Sequence, residues 1–288
     1  MYAPEAVARF YDQYGTREWE RLDASANARI IYHLHLKFLA DHIGPTRRVA
    51  DIGCGAGRFS VAIAQSGSRT TLVDISPGQL AIARDKMAEH GLAGMVEGYH
   101  AADVCNLHVL PDGAFDTVVC FGGVLSYLWQ MLPQGLAELR RITRPGGTLL
   151  LSVNSRWGVF RFVLASQVPG FFANPSHWKI FEVAATGDLP PLPEVHQPPR
   201  HFFTADDLSA AMAAAGLAPH ILAAAPAIST ALYDRVAELE QDPPAWDTLL
   251  KLEAQACTNP ALLDAGEFII ATATVPPIHP SPPPAALS

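Results

Sequence analysis

The fold is indicated most clearly by the stretch VADIGCGAGRF, Val49 to Phe59. It places Gly53, Gly55 and Gly57 at alternate positions directly after a short apolar run, and Asp51 precedes the first of them. A glycine-rich turn between a strand and a helix lets a ligand approach the backbone closely. A plain strand–helix turn usually needs only one glycine. Alone, the loop therefore predicts either a ligand site or a tight turn.

Strand-like runs and helical patterns alternate around this loop. Strands are predicted over residues 48–53, 69–74, 95–101, 115–121 and 148–153, and helices over 57–66, 76–89 and a segment ending near 141. The nearly continuous apolar runs at 117–121 and 148–153 are typical of strands that are buried on both faces. The sequence therefore predicts an α/β fold with a mostly parallel sheet that is covered by helices on both sides.

Five segments are predicted along the chain. Residues 1–45 form an amino-terminal helical cap, 46–153 a core, 154–203 an inserted segment, 204–275 the rest of the core, and 276–288 a proline-rich tail that we expect to be disordered. The insertion is rich in aromatic residues, which suit a lid over a small apolar ligand. A small separate core or a contact between two copies in a homodimer would explain these aromatic residues equally well.

Composition disfavours several classes of protein. The chain has 288 residues, a net charge of −8 and no run of Lys or Arg, so a nucleic-acid partner is disfavoured. Its four cysteines form no CxxC pair, which disfavours a zinc site and a disulfide framework, and we expect no metal. The amino terminus lacks the pattern of a signal peptide, and no apolar run approaches a membrane span. We therefore expect a reduced, cytoplasmic protein.

Polar and apolar residues follow the predicted strands at the edge where such sheets bind ligands. Asp74 ends the second strand and could hold a ribose, Asp103 follows the third strand and could face an adenine, and Phe121 follows the fourth. Helix capping by Asp74 and a turn role for Asp103 are the structural alternatives. A dinucleotide loop reads GxGxxG, whereas here Arg58 stands three residues after Gly55. That departure disfavours a dinucleotide.

Taken together, these segments resemble the class I S-adenosylmethionine-dependent methyltransferases. The resemblance covers roughly residues 48–153 and rests on VADIGCGAGRF, TLVDISPGQLAIAR, FDTVVCFGGVLSYL and LRRITRPGGTLLLSV, in the order of the family. It implies a Rossmann-like fold with a seven-stranded, mostly parallel sheet and an inserted lid. The residues that it implies for the cofactor S-adenosylmethionine are Asp51, Gly53 and Gly55 at the methionine end, Asp74 at the ribose, and Ile75, Asp103, Val104 and Phe121 around the adenine and the fourth strand.

The amino-terminal region also resembles the glycine and sarcosine N-methyltransferase branch of that family. There, a Trp and an Arg close over the cofactor, and Trp19 and Arg29 stand at matching distances before Asp51. Tyr11 is a further expected contact. Packing of Trp19 into the core and a surface role for Arg29 are the alternatives. The branch has Asn where this chain has Gly123, which disfavours glycine as the methyl acceptor.

The resemblance implies methyl transfer to a small molecule at oxygen, nitrogen or carbon. The candidate bases are His33, His177 and His201, with Tyr127 as an orienting hydroxyl, and packing or solvent exposure is the alternative for each. A catalytically silent protein that binds S-adenosylmethionine is an alternative of a different class. A nicotinamide-dependent oxidoreductase is a third, and the GxGxG spacing disfavours it.

Overall fold

A single seven-stranded sheet positions the site. The computed structural model describes residues 2–165, 180–191 and 198–277. The strands that it shows there are β1 (Arg48–Ile52), β2 (Arg69–Asp74), β3 (Val96–Ala101), β4 (Phe115–Cys120), β5 (Thr143–Asn154), β6 (Asp188–Leu189), β7 (Arg200–His201), β8 (Pro219–Ala225) and β9 (Phe268–Thr274). The sheet has the order β3-β2-β1-β4-β5-β9-β8, and β6 pairs with β7 in a separate hairpin.

The strand directions match a doubly wound α/β fold. β1 runs parallel to β2 and β4, β2 parallel to β3, and β4 parallel to β5. β9 lies antiparallel between β5 and β8. The order reverses at β1, where β2 lies on one side and β4 on the other, so the ligand crevice is expected at the carboxyl ends of these strands. The predicted fold class is confirmed.

Helices cover both faces of the sheet. They are α1 (Pro4–Tyr14), α2 (Arg17–Glu20), α3 (Ala26–Ala40), α4 (Arg58–Gln65), α5 (Pro77–Glu89), α6 (Leu132–Ile142), α7 (Arg156–Ala165), α8 (Ile180–Thr186), α9 (Ala205–Ala214), α10 (Tyr233–Glu240) and α11 (Pro243–Ala256). One apolar core joins α6 and α9 to the sheet, and another joins α3, α4, α10 and α11 to its opposite face. A third cluster packs α4 against α5.

Local sequence explains where these helices begin. The hydroxyl of Ser76 accepts a hydrogen bond from the amide of Gln79, and Pro77 occupies the first turn of α5. Thr204 and Asp207 form a reciprocal capping box at the start of α9. These elements begin where the sequence predicts them.

The segment after β4 differs from the predicted single helix. It forms two short 3₁₀ turns, Val124–Tyr127 and Trp129–Met131, before α6 begins at Leu132. Gly122 and Gly123 have φ angles of 80° and 87°, so the chain turns sharply after the strand before it can become helical. This sharp turn brings Tyr127 to the crevice.

The insertion at 154–203 is described in part. It contains α7, α8 and the β6–β7 hairpin, whereas His177 and the tail residues 278–288 lie outside the described residues. The proposed domain boundaries, including the lid, stay predictions. Within the described ranges, no helix is long and apolar enough to cross a membrane.

Candidate functional site

A cleft opens at the carboxyl ends of β1, β2 and β4. It encloses about 910 Å³ of empty space, including its solvent opening. Its floor is the glycine loop from Ile52 to Ala56, and α1 and α2 contribute its cover. The expected residues that line it are Tyr11, Gly53, Gly55, Asp74, Ile75, Asp103, Val104, Phe121 and Tyr127.

The backbone amides of the glycine loop donate hydrogen bonds to other groups of the protein. The amides of Gly53 and Cys54 donate to the Val73 carbonyl at 2.7 and 3.0 Å. The Gly55 amide donates to Asp74 Oδ2 at 2.7 Å. A pyrophosphate needs such amides as donors, and three of the loop's amides are already used. The geometry therefore argues against a dinucleotide here, in agreement with the GxGxG spacing.

Asp74 is buried at the inner end of the cleft. Its Oδ2 accepts from Gly55, and its Oδ1 accepts from the Ser76 amide at 2.8 Å. Burial nevertheless raises the pKa of Asp74 from 3.8 to about 6. A carboxylate with remaining lone pairs at the end of β2 can accept hydrogen bonds from two neighbouring hydroxyl groups. A ligand that covers the Asp74 carboxylate removes it from water. Binding is therefore favoured only when the ligand supplies hydrogen-bond donors to this carboxylate.

A charged pair lies above the glycine loop. Arg21 donates three hydrogen bonds to Glu18, from Nε at 3.1 Å to each carboxylate oxygen and from Nη2 at 2.7 Å to Oε1. Both residues line the cleft. The Glu18 side chain would lie 3.1 Å from a Cβ placed on Gly55. The pair thus offers a positive and a negative group side by side to any ligand on the loop.

The far end of the cleft is closed by Tyr2. Its hydroxyl donates to Asp103 Oδ2, and Asp103 Oδ1 accepts from the Cys105 amide at 2.8 Å. Burial raises the pKa of Tyr2 above its usual range, so the phenol stays a neutral donor. Asp103 therefore lies at the cleft as expected, but its carboxylate already accepts hydrogen bonds from Tyr2 and Cys105.

Asp51 does not line the cleft. It is buried beneath α4, where its Oδ2 accepts from the Ser60 hydroxyl at 2.6 Å. Burial raises its pKa from 3.8 to about 7. Its carboxylate lies inside the core between β1 and α4, and its expected contact with the amino group of a ligand stays a prediction.

Arg29 and Trp19 also lie outside the cleft. Arg29 forms a bidentate pair with Glu240, with each bond 2.5 Å long, and reaches the Asp23 carbonyl. Trp19 packs against α4 and α5, where Arg58 lies 4.9 Å and Lys86 5.1 Å from its ring centre. Arg29 therefore does not line the cleft, whereas Arg21 and Arg58 do.

Two tyrosine hydroxyls meet among the residues that line the cleft. Tyr11 and Tyr127 lie 3.1 Å apart, oxygen to oxygen. The guanidinium of Arg200 lies 5.2 Å from the Tyr127 ring centre, and its positive charge acts on Tyr11, whose pKa burial raises well above the usual value. The β6–β7 hairpin therefore approaches the site through Arg200.

The candidate histidines are placed away from the cleft. His33 lies half-buried on α3, where burial and Lys37 lower its pKa. His201 lies next to Arg200 on β7, so the two side chains point to opposite faces of the hairpin. Its Nδ1 lies 2.6 Å from Asp188, and its ring contacts Phe203. Neither His33 nor His201 therefore lies where a catalytic base in the cleft would act. His177 lies outside the described residues.

Sequence reasoning missed Tyr2, Glu18 and Arg21. The spacing of Glu18 and Arg21, three residues apart in a charged helical turn, is a signal for a paired acid and base. The sequence does not indicate whether this pair lies at the cleft or in solvent, because its position depends on how α2 packs over the glycine loop. Tyr2 carries no local signal, since its contact with Asp103 spans 101 residues.

Comparisons with known proteins agree with this geometry. The family described as "Methyltransferase domain" matches residues 49–147. A malonyl-[acyl-carrier protein] O-methyltransferase of Serratia marcescens is 39% identical over 108 residues, 38% of each chain. A ubiquinone biosynthesis O-methyltransferase of Xanthomonas campestris is 30% identical over 145 residues, 49% of this chain and 57% of the relative. The chain thus spans only about 40–60% of the curated relatives it matches.

Solved structures show the same fold. A Burkholderia thailandensis 1,6-didemethyltoxoflavin-N1-methyltransferase is 17% identical with a TM-score of 0.53, covering 95% of this chain and 91% of its own. A geranyl diphosphate C-methyltransferase of Streptomyces coelicolor is 16% identical with a TM-score of 0.50, covering 83% and 77%. The fold and the glycine loop agree with the match of residues 49–147 to the family described as "Methyltransferase domain".

Proposed function

We propose that this protein is an S-adenosylmethionine-dependent methyltransferase that acts on a small molecule. The observation that carries the proposal is the chemistry around the glycine loop. A buried carboxylate lies at one side, the Glu18–Arg21 pair lies above, and the loop amides are already used. This donor and acceptor set suits a ribose joined to an amino acid, and it does not suit a pyrophosphate.

The cleft residues fit S-adenosylmethionine group by group. Asp74 would accept the ribose hydroxyl hydrogens, and Ile75 and Val104 would border the adenine. Arg21 would hold the α-carboxylate of the methionine end, and Glu18 would attract its ammonium group. Tyr2 and Asp103 would close the adenine end. When bound, the cofactor supplies an activated methyl group on a sulfonium.

The protein's own task is then to bind and orient the acceptor. Fixing the acceptor in the right geometry supplies a large share of the rate acceleration, up to ~7–11 kcal/mol in well-organised cases. Tyr11 and Tyr127 would orient the acceptor, because both residues line the cleft and their hydroxyl oxygens lie 3.1 Å apart. Arg200 would hold Tyr127 in place through its ring.

The comparisons and the cleft residues also bear on the acceptor atom and on the branch of the family. The two curated relatives are named O-methyltransferases, and we propose oxygen as the acceptor atom. The glycine and sarcosine branch is not part of the proposal, since neither Trp19 nor Arg29 lines the cleft.

The four cysteines are free and buried, as is usual in a reducing compartment such as the cytoplasm. A homodimer and a lid at 154–203 stay predictions.

The ribose assignment is tested by changing Asp74. We expect Asp74→Asn to weaken S-adenosylmethionine binding at least tenfold, because an amide offers one acceptor oxygen in place of two. Isothermal titration calorimetry measures the affinity, and the apparent Tm reports on folding. Asp85→Asn is the matched control, since Asp85 is exposed on α5.

Two results would contradict the proposal. Absence of S-adenosylmethionine binding by the unaltered protein would remove the proposed function. Normal binding by Asp74→Asn would remove only the role of Asp74. Transfer of a labelled methyl group to an acceptor separates an active enzyme from a catalytically silent binding protein.

A further inference from the structure

The carboxylate of Glu18 lies against the glycine loop inside the cleft. A Cβ placed on Gly55 would lie 3.1 Å from Glu18 Cγ and 3.5 Å from its Oε1. The same carboxylate accepts three hydrogen bonds from Arg21, two from Nε and one from Nη2. Its side chain is only 14% exposed, although both residues line the cleft. Glu18 therefore takes up space between the loop and the guanidinium that a ligand on the loop would share.

The contact has the form that an arginine adopts when it binds the carboxylate of a ligand. Such pairs bring both carboxylate oxygens to one guanidinium and are strong and directional. Arg21 makes this arrangement with a side chain only three residues away. Among the described residues, Glu18 is the acceptor of the hydrogen bonds from Arg21. Glu18 thus engages Arg21 as the carboxylate of a ligand would.

The other arginine of the cleft is balanced from outside it. Arg58 lines the cleft, and its Nη2 donates to Asp23 Oδ2 at 2.5 Å, but Asp23 is not part of the cleft wall. In the part of the chain that the structure describes, only the Glu18–Arg21 ion pair has both partners on that wall. A charged ligand on the loop therefore acts first on this pair.

The charges of a ligand decide whether opening this pair is favourable. A lone carboxylate that takes Arg21 leaves Glu18 without a partner near the buried Asp74, whose pKa is raised by burial and further by the charge of Glu18. A lone ammonium group that takes Glu18 leaves Arg21 without a partner in the same way. A charge left unpaired in a partly buried site is costly. A group that carries both charges replaces the one pair by two.

We propose that Glu18 is an internal stand-in for the α-carboxylate of the cofactor, and that its exchange makes the cleft selective for ligands carrying a carboxylate and an ammonium group together. The inference rests on the proposed function and adds how the amino-acid end of the ligand is chosen. Before binding, Glu18 holds Arg21 at the loop. On binding, the ligand carboxylate takes Arg21, and Glu18 turns to the ammonium group. Nucleosides with only one of the two charges are thereby disfavoured.

The test compares three nucleosides by isothermal titration calorimetry. They are S-adenosylhomocysteine, its deaminated analogue, which keeps only the carboxylate, and its decarboxylated analogue, which keeps only the ammonium group. We expect the unaltered protein to bind each analogue about tenfold more weakly than S-adenosylhomocysteine, because each analogue leaves one member of the Glu18–Arg21 pair unpaired. Equal affinity of the unaltered protein for all three nucleosides would overturn the inference.

Glu18→Gln should move the affinities for the two analogues in opposite directions. Without the charge of Glu18, Arg21 is open to a carboxylate, so the deaminated analogue should bind about tenfold more tightly than to the unaltered protein. The decarboxylated analogue should bind about tenfold more weakly, since its ammonium group loses its partner. Damage to the fold would weaken all three ligands together. Glu20→Gln is the matched control, because Glu20 is exposed on the same helix, α2.

A second pair of variants ties the effect to Arg21. When Glu18→Gln is added to Arg21→Gln, it should no longer tighten binding of the deaminated analogue, because the guanidinium that Glu18 holds is gone. Parallel weakening of all three ligands by Glu18→Gln, or no change for either analogue, would overturn the inference. Absence of S-adenosylhomocysteine binding by the unaltered protein would instead remove the proposed function, and the apparent Tm of each variant reports on folding.

Discussion

At the scale of single residues, Gly53 couples the glycine loop to the turn after β4. Its φ of 70° favours glycine, and a Cβ there would lie 2.2 Å from Val124 Cγ2. The sequence indicates that the loop needs glycine. It does not indicate that the neighbour is Val124, because that contact depends on how β4 packs beside β1.

We expect Gly53→Ala to weaken S-adenosylmethionine binding more than tenfold. The positive φ alone costs about 1–3 kcal/mol for a non-glycine residue, and the overlap with Val124 shifts the loop. Gly53→Ala with Val124→Ala should recover part of the affinity by removing the overlap. Gly94→Ala is the control, since nothing lies within 4 Å of its added Cβ. Equal affinity of the single and double variants would contradict this coupling.

The same scale shows what sequence reasoning can and cannot find. Asp74 and Phe121 follow predicted strands, so their place at the sheet edge could be predicted from the alternation of elements. Arg21 could not be preferred over Arg29, because Arg21 follows α2, Arg29 lies on α3, and the position of each depends on how these amino-terminal helices pack. Arg29 pairs with Glu240, 211 residues away.

At the scale of elements, α1 covers the cleft and is fastened to α5 by side chains. Asp12 Oδ1 accepts from the Ser76 hydroxyl at 2.5 Å and from the Gly78 amide at 3.0 Å. Gln79 Nε2 donates to the carbonyls of Tyr11 and Gly15 at 2.8 and 3.0 Å. These bonds hold the helix that carries Tyr11 over the loop. The strands and α5 could be predicted from periodicity, but this fastening could not.

We expect Asp12→Ala to raise the dissociation constant of S-adenosylhomocysteine about fivefold to tenfold. Each lost hydrogen bond contributes roughly 1 kcal/mol to holding α1, and 1.4 kcal/mol corresponds to about tenfold in affinity. Calorimetry gives the affinity, and amide hydrogen exchange across α1 should rise. Gln13→Ala, on an exposed position of the same helix, serves as the control. Unchanged exchange in α1 would show that Asp12 does not fasten it.

At the scale of the whole molecule, buried carboxyls make stability depend on pH. The folded pKa of Asp51 is raised from 3.8 to about 7 by burial. A raised folded pKa means that the stability present below pH 4 is lost as the pH rises through about 7. Asp74, raised to about 6, acts in the same direction. These two carboxyls should therefore lower the unfolding temperature of the cofactor-free protein at pH 8 relative to pH 5.

Asp51→Asn isolates one of these groups. The variant should unfold at higher temperature than the unaltered protein at pH 8, and the difference should shrink at pH 5. One pKa unit corresponds to about 1.4 kcal/mol and one kcal/mol to ~2–4 °C in a chain of this size, so the gap should change by several degrees. Thermal unfolding followed by circular dichroism measures it. Asp85→Asn should show no such gap, and a gap independent of pH would contradict the role of Asp51.

The overall architecture is the part that sequence predicts best. The alternation of buried strands and helices fixes the parallel half of the sheet, from β1 to β5. The contacts of Asn27 and Tyr233 with Glu267 are predicted least well, because these residues are far apart along the chain and meet only through the packing of α3, α10 and the chain just before β9. No local pattern marks any of them.

The position of β9 between β5 and β8 also orders events during synthesis. The ribosome releases β1 to β5 and the residues that line the cleft first, because all of them lie at or before Asn154. β8 is made before β9 yet has no neighbour in the sheet until β9 arrives. A nascent chain can thus present every residue that lines the cleft before β8 and β9 join the sheet, so the antiparallel part of the sheet is the last to be completed.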